Sequence, residues 1–257
     1  MNKKSKLKWM VLMMTLIVSI GIVSCGNDDN EVSTNEQYTP SDLRAVDLGL
    51  SVNWAKMNVG ASIPEECGLF FAWGETKGYS SNTSDGHKFD YAEYKWMTPS
   101  QSSPYWINKY QIADNWTDGC WFDSNQHFIG DGKMVLEPAD DAATASWGGS
   151  WRMPTIGECQ ELINNCTAEW TRQSGVYGCK LTSRKNGNSI FLPAAGIRAS
   201  GGVLIREGTG VYWSSSLKNT LGGCGFDFWA NDGNSIYIVT NDYSRNTGIN
   251  IRPVMKK

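Results

Sequence analysis

The sequence is poor in the residues that most often carry hydrolytic or metal chemistry. It has two histidines in 257 residues, His87 and His127. It contains no HExxH, GxSxG, P-loop or dinucleotide-binding motif, and no CxxC pair. These absences remove the commonest zinc, serine-hydrolase and nucleotide sites, so no catalytic residue is predicted.

The chain also lacks an apolar run long enough for a membrane-spanning helix, which needs about 20 residues. The run 9–24 covers 16 residues, and four lysines precede it. A basic start followed by a short apolar segment is typical of an export signal. Because the run ends in Ile-Val-Ser-Cys-Gly, which resembles a lipobox, we predict a lipoprotein signal peptide over 1–24 and lipid attachment at Cys25. An ordinary signal peptide or a retained anchor helix is the alternative.

Apolar residues are then scarce over 25–44, which begins Cys-Gly-Asn-Asp-Asn-Glu. Such a segment buries little apolar surface, so we predict a flexible acidic tether. Its acidic start resembles the surface-export signal of lipoproteins from Bacteroides-like bacteria. We therefore expect an outer-membrane lipoprotein that is exposed at the cell surface and held to the membrane by its N-terminal lipid.

Positive charge is in deficit. The chain has a net charge of −3, and removal of 1–24, with four lysines and no acid, changes it to −7. No basic stripe is present, which argues against nucleic acid as a partner.

Long segments of helical periodicity are also rare, whereas the chain has 12 tryptophans and 27 glycines. This composition favours short strands and long loops. We predict one α+β domain over 45–257, in which two short helices are followed by an antiparallel sheet. Asn186-Gly187 and Asp232-Gly233 mark tight turns. Strands are expected within 46–60, 69–75, 178–183, 189–193, 208–216, 224–230, 235–240 and 248–254.

The first helix is predicted over 137–147. Pro138 suits its start, and Asp140 and Asp141 suit its first turn, where the helix dipole favours acids. Gly148-Gly149 ends it. Trp147 and Trp151 are expected to clamp the bend that follows.

The second helix begins after Pro154, which keeps the residue before it extended. Thr155 and Glu158 have the spacing of a capping box. Arg152 stands among large apolar residues and requires a partner, which we expect in the strands that follow.

The cysteines leave the redox state open. An even number in an exported chain permits three disulfides, and buried free thiols are the alternative. Cys159 and Cys166 lie two helical turns apart, roughly 10 Å, too far to bridge each other. Besides Cys25 the cysteines are Cys67, Cys120, Cys159, Cys166, Cys179 and Cys224.

Several blocks stand in order over about 45–255. They are VDLGLSVNWAKMNVGAS and GLFFAWGET, followed by WGGSWRMPTIGECQEL, NGNSIFLPAAG, GVYWSSS and GINIRPV. Together they resemble the Fibrobacter succinogenes major paralogous domain family. That family is similar to C-type-lectin-like folds and to the domain of formylglycine-generating enzymes. The resemblance implies an exported cell-surface domain of C-type-lectin-like fold and transfers no catalytic residue. Met153 replaces the commoner leucine, and the blocks are unusually rich in cysteine.

Aromatic residues crowd the region 76–136, where no period of 2 or 3.6 persists. Glycans bind by stacking on such rings, so this region is the predicted recognition surface. For each single ring, core packing is the alternative. The ligand-binding candidates are Trp96, Trp106, Trp116, Tyr212, Trp213 and Trp229, together with Asn231 and Asp232.

Asn231 and Asp232 also resemble the Trp-Asn-Asp motif of calcium-dependent lectins, and 137–141 resembles their Glu-Pro-Asn. A Ca²⁺ site needs six to eight converging oxygens, and a plain turn explains Asp232-Gly233 equally well. We therefore assign no cofactor.

These observations predict a lipid-anchored surface module that binds glycan or protein. One alternative is an enzyme related to formylglycine-generating proteins, which needs two cysteines together in an open pocket. The other is a structural or fimbria-like surface subunit, which needs an exposed strand edge.

Overall fold

The fold was analysed in a computed structural model that describes residues 44–202, 204–205, 208–231 and 235–257. The predictions of a signal peptide, of lipid attachment at Cys25 and of a tether concern residues that, except for Arg44, lie outside the described ones. Within the described ranges, no helix has the length and apolar character needed to span a membrane.

The described chain forms small antiparallel sheets and two α-helices. The sheet orders are β1-β2-β12-β3, β11-β10-β9, β4-β5-β6 and β7-β8. This architecture is compatible with an α+β fold that has short helices. The helices are α1 (Ala142–Trp147) and α2 (Ile156–Asn165). The strands are β1 (Ala45–Val46), β2 (Val52–Ala55), β3 (Trp151–Arg152), β4 (Cys166–Gln173), β5 (Val176–Ser183), β6 (Ser189–Pro193), β7 (Ile197–Arg198), β8 (Leu204–Ile205), β9 (Thr209–Asn219), β10 (Gly222–Ala230), β11 (Ile236–Ser244) and β12 (Val254–Lys256).

The predicted hairpin at Asn186-Gly187 is confirmed. Strands β5 and β6 pair antiparallel, with Cys179 opposite Leu192. Gly187 has a φ of 77°, a left-handed conformation that glycine adopts without steric cost. Within the predicted strand region 46–60, two short strands form and pair antiparallel, β1 (Ala45–Val46) and β2 (Val52–Ala55).

The sheet β9-β10-β11 separates two hydrophobic cores. Because successive side chains of a strand point to opposite faces, Tyr212 and Trp213 of β9 enter different cores. Tyr212 packs with Phe226 and the residues of α2 and β5, whereas Trp213 packs with Trp73 and the residues of α1. Each face of this sheet is thus covered by one of the two hydrophobic cores.

The loop region 76–136 packs through many of its aromatic side chains, which was the alternative to a surface role for each ring. Phe89, Tyr94 and Trp121 form a third core. Regular structure there is limited to short 3-10 turns such as Tyr91–Glu93, and to isolated bridges such as Met97 with Ile107.

The predicted strand 248–254 does not form as one continuous strand. Instead, its residues bridge different segments one at a time: Gly248 pairs with Arg198 and Ile249 with Phe71. Only its last residue enters a strand, β12. The segment is extended as expected, but it passes between several elements and follows no single partner.

The predicted helix 137–147 is divided in two. A 3-10 turn over Pro138–Asp140 precedes α1, and Asp141 between them is extended. The Asp141 carboxylate accepts from Thr144 N at 2.9 Å, so it caps α1 from outside its first turn.

The bend after α1 has the predicted aromatic clamp and capping box. The Trp147 and Trp151 rings lie 5.0 Å apart at 86°. Thr155 and Glu158 exchange both bonds of the capping box. The prediction that Arg152 pairs with an acid of the later strands is wrong. Its partner is Glu158 of α2, at 2.5 Å.

The described cysteines all carry free thiols, and four of the six are buried. Burial raises the pKa of every one of them, so each thiol is held protonated at neutral pH. They pack as small apolar residues, which was the alternative to disulfides.

Candidate functional site

Two of the predicted ligand-binding residues belong to the core. Tyr212 and Trp213 each have 0 % of their surface exposed. The Tyr212 hydroxyl donates to Pro193 O at 2.9 Å, and Trp213 Nε1 donates to Phe71 O at 2.8 Å. Since β9 is covered on both faces, neither ring can stack on a ligand, and both predictions are corrected.

Trp96 is half-buried and already engaged. Its Nε1 donates to Gly74 O at 3.2 Å. The ammonium groups of Lys95 and Lys109 lie 4.3 and 4.7 Å from its ring centroid, and both also bind Asp140. This ring therefore packs against two lysines that bind the buried Asp140 carboxylate, and we remove it from the ligand-binding candidates.

The remaining predicted rings are accessible but dispersed. Trp106 is 42 % exposed and Trp116 is 41 % exposed. Trp116 contacts the ring of Tyr105 at 5.7 Å, whereas half-buried Trp229 stacks on Tyr237 at 5.4 Å in the β10–β11 hairpin. No ring contact between described residues joins Trp229 to the two loop tryptophans.

The calcium expectation finds no assembled ligand set. Asn231 is exposed, while Asp232 lies outside the described residues. Glu137 binds Lys109 and Lys133. Across the part of the chain that the structure describes, no three His, Cys, Asp or Glu side chains are arranged to hold a metal ion.

A groove of about 520 Å³ gathers polar side chains that the sequence does not bring together. The 3-10 turn Tyr91–Glu93 forms one wall, and the segment that follows β7 forms the opposite wall. The chain beyond β11 completes the groove. Its polar lining consists of Asp90, Tyr91, Ser102, Ser200, Ser244, Asn246 and Thr247. We refer to it as the Asn246 groove.

A buried arginine fixes the two walls relative to each other. Arg198 of β7 binds both oxygens of Asp85, at 2.6 and 3.0 Å. It also donates to His87 O at 2.9 Å and to Gly202 O at 3.2 Å. The bond from Arg198 lowers the pKa of Asp85. This arginine thus ties the chain leading to Asp90 onto the strand that leads to the other wall.

Asn246 is the most enclosed polar group of the groove, with 7 % of its surface exposed. Its Nδ2 donates to Phe89 O at 2.6 Å. An amide in the flipped orientation would place its oxygen against that carbonyl, so Oδ1 is the acceptor on the other side. Among the described residues, Oδ1 has no hydrogen-bond partner. Other enclosed side-chain atoms, such as Trp54 Nε1 and Asn250 Oδ1, have no hydrogen-bond partner among the described residues either, so this oxygen does not by itself mark a ligand site.

Asp90 is the charged residue in the lining. Its Oδ1 accepts from the Ser200 hydroxyl and from Gly201 N. No bond to its Oδ2 is formed within the described ranges. Asp90 therefore joins the two walls through one oxygen and presents the other as a charged acceptor.

The surroundings of the groove are acidic. Asp90 and Asn246 also line a narrow pocket with Glu75, Glu93 and His87. Burial raises the pKa of Glu75 and lowers the pKa of His87, which leaves the imidazole neutral at pH 7. The lining of the Asn246 groove contains no lysine or arginine. The fully buried Arg245 guanidinium lies next to the groove, and the lining is mostly hydroxyl and amide groups, so a neutral hydrogen-bonding ligand suits it.

Sequence reasoning missed this groove because its residues come from four distant segments. Tyr91 stands among the aromatic residues of the loop region, but its position gives no sign that it lines a cavity. Asn246 lies in an ordinary Ser-Arg-Asn-Thr stretch. The lining residues come together only in the folded chain, where Arg198 and Arg245 hold their segments side by side.

Comparison with family models, with curated proteins and with solved structures yields no match to this chain.

Proposed function

We propose that this protein is a lipid-anchored binding module at the cell surface, and that it binds carbohydrate in the Asn246 groove. The observation that carries the proposal is the groove itself, a cavity of about 520 Å³ whose lining combines the Asp90 carboxylate, hydroxyl-bearing side chains and the Tyr91 ring.

The composition of the groove supports a sugar over an apolar ligand. Ser102, Ser200, Ser244 and Thr247 supply hydroxyls that both donate and accept, which matches the chemistry of a polyol. Tyr91 supplies a half-buried ring against which the CH face of a sugar would pack. The volume is within the range of small-molecule sites, about 300 to 1,000 Å³.

The resemblance to the major paralogous domain family supports the same function. It implies a C-type-lectin-like domain, and small antiparallel sheets with two short helices are compatible with one. The lipobox around Cys25 and the acidic stretch after it support an outer-membrane lipoprotein that faces outward.

A glycan array probed with the full chain tests this proposal. Its best ligand is then titrated against the wild type and the Tyr91→Ala and Trp106→Ala variants. We expect Tyr91→Ala to lower the affinity about tenfold, since a ring contact is worth roughly 1 kcal/mol. Trp106 is an exposed ring outside the groove lining, so Trp106→Ala should bind normally. An array without ligand, or a loss confined to Trp106→Ala, contradicts the proposal.

One observation favours the second candidate, a structural surface subunit. Strand β11 is at the edge of its sheet, and Val239, Thr240 and Asn241 along it are exposed. An exposed edge can accept a strand from a second molecule. Electron microscopy of the purified chain tests this: filaments that are lost when Thr240 is replaced by proline support it, and a monomer at all concentrations contradicts it.

A further inference from the structure

We propose that strand β11 pairs antiparallel with β11 of a second copy of this chain, which gives a two-fold symmetric dimer. This inference goes beyond the binding function proposed above and does not depend on it. It uses the same edge that suits a structural subunit. Because two identical edges close on each other, however, the assembly ends at the dimer and does not grow into a filament.

The first argument is that the two edges of the sheet β11-β10-β9 are covered differently. Strand β9 forms backbone hydrogen bonds with four other segments, through Met134, Pro154, Gly196 and Asn250. No backbone bond reaches residues 236–242 of β11 from any described segment except β10. Every second residue of an edge strand directs its N–H and C=O away from the sheet. Strand β11 therefore presents a row of donors and acceptors to a further strand.

The second argument is that β11 lacks the features that prevent edge pairing in the other described sheets. Strand β4 carries Glu169 and Arg172, and β6 ends in Pro193. Strands β1, β3, β7 and β8 have two residues each. By contrast, β11 has nine residues, contains no lysine, arginine or proline, and pairs with β10 without a register shift. A long regular edge without such features is prone to pair with another strand.

The third argument is that the middle of β11 is accessible on both faces. Four consecutive residues, from Val239 to Asp242, are exposed. Ile236 and Ile238 pack against the core that β11 shares with α2 and β4, so the strand is held in place. Its β-branched and aromatic residues favour a paired conformation. The edge is thus already shaped to receive a partner strand.

The charge of β11 favours a second copy as that partner. Asp242 is the one charged residue of the strand. In the antiparallel register that uses all nine residues, Thr240 lies opposite Thr240 of the second copy, and Asp242 lies opposite Ile238. The two carboxylates are therefore offset, whereas a parallel in-register pair would place them directly opposite each other, which is unfavourable. Pairing of two copies also covers both exposed edges at once.

The exposed rings of β11 suit the same register. Trp229 stacks on Tyr237 at 5.4 Å, and Tyr237 is 47 % exposed. In the proposed dimer, Tyr237 lies opposite Tyr243 of the second copy, on the face of the sheet that also carries Val239. Aromatic pairs directly across two strands stabilise a sheet. Dimerisation would therefore bury the apolar surface that Tyr237 and Val239 expose.

Sedimentation velocity of the full chain over a range of concentrations is the first test. We expect the wild type to convert from monomer to dimer and to form nothing larger. Thr240→Lys places two ammonium groups opposite each other, so the dissociation constant should rise about tenfold or more. Added salt should reverse part of that loss. The matched control is Thr167→Lys, at an exposed threonine of the edge strand β4, which should dimerise normally. Circular dichroism checks that both variants fold.

Cross-linking with a short bis-maleimide tests the register. The two copies of residue 240 lie about 5 Å apart in the proposed pair, so Thr240→Cys should give a covalent dimer. The two copies of residue 244 lie eight residues apart along the strands, roughly 27 Å, so Ser244→Cys should not. Both positions are exposed, and the wild type gives the background from the native cysteines.

Each result supports or overturns the dimer. A wild type that stays monomeric overturns it and leaves the edge to an unrelated chain. A dimer that Thr240→Lys does not weaken, or a covalent dimer from Ser244→Cys alone, places the contact elsewhere and also overturns it. Growth into filaments overturns the closed pair in favour of the structural subunit. None of these outcomes bears on carbohydrate binding, which the glycan array tests separately.

Discussion

Arg245 donates from its Nε to the Tyr94 hydroxyl at 2.9 Å. Its other nitrogens donate to the carbonyls of Tyr110, Thr220 and Lys109 at 3.0 to 3.1 Å. No carboxylate pairs with this fully buried guanidinium within the described ranges. Backbone carbonyls thus satisfy it, and in return it joins two parts of the loop region to the chain after β11, next to the Asn246 groove.

Replacement of Arg245 should therefore destabilise the whole domain. Arg245→Met leaves three buried carbonyls without a donor, and we expect a loss of roughly 3 kcal/mol or more in the free energy of unfolding. Arg245→Lys retains the charge but lacks the planar fork, so its loss should be intermediate. Urea denaturation measures both. Arg172→Met, at an exposed arginine, is the control, and equal midpoints for Arg245→Met and Arg172→Met would contradict the clamp.

Trp213 and Trp106 should respond in opposite ways to truncation. Trp213→Ala removes a fully buried ring and its bond to Phe71 O, so it should cost about 3 to 5 kcal/mol of stability. Trp106→Ala removes a ring that is 42 % exposed and should cost far less. Thermal unfolding followed by tryptophan fluorescence separates them. A Trp213→Ala protein that melts with the wild type would show that the core assignment is wrong.

The capping box of α2 predicts a smaller effect. Thr155→Ala removes the side-chain acceptor of Glu158 N, and loss of an N-cap costs about 1 kcal/mol. The matched control is Thr117→Ala at an exposed loop threonine. A chemical-denaturation midpoint that falls for Thr117→Ala and not for Thr155→Ala would count against the cap.

Asp140 should contribute to stability in a pH-dependent way. Burial favours its neutral form, but the hydrogen bonds from Lys109, Tyr110 and Lys95 outweigh burial and lower its pKa. A carboxylate with a depressed folded-state pKa stabilises the fold above its unfolded pKa, about 3.9, and the contribution disappears as the pH falls through the folded value.

Asp140→Asn should accordingly melt below the wild type at pH 7, and the two melting temperatures should converge below about pH 4. Because Asp140 is buried but its two lysine partners are partly exposed, we expect a loss of roughly 1 to 2 kcal/mol at neutral pH. Calorimetry across this range is the measurement. A difference that stays constant from pH 7 to pH 3 would mean that the charge of Asp140 has no part in the effect.

Local features of the fold could be predicted from the sequence, because their causes are local. The Asn186-Gly187 turn, the Thr155–Glu158 box and the Trp147–Trp151 clamp each depend on a few neighbouring residues. The sequence predicts Asp141 in the first turn of a helix, whereas in the structure it is the N-cap that precedes α1. The two positions are hard to separate, because the helix dipole and N-capping favour the same residue types at adjacent positions.

The candidate site could not be predicted, for a physical reason. Aromatic residues serve both cores and binding surfaces, so composition cannot separate Trp213 from Trp106. The groove depends on Arg198 and Arg245. Apart from Asp85 for Arg198 and the Tyr94 hydroxyl for Arg245, their partners are backbone carbonyls, which leave no mark in the sequence. An unpaired amide oxygen such as that of Asn246 is visible only in the folded chain.

The most direct test of the central claim is a crystal structure of the full chain with its tightest-binding oligosaccharide. We predict a sugar ring packed against Tyr91, with sugar hydroxyls bonded to the Asp90 carboxylate and to the serine hydroxyls of the groove. An oligomer bound at Trp106 and Trp116, or at the β10–β11 hairpin with the Asn246 groove empty, would contradict the account.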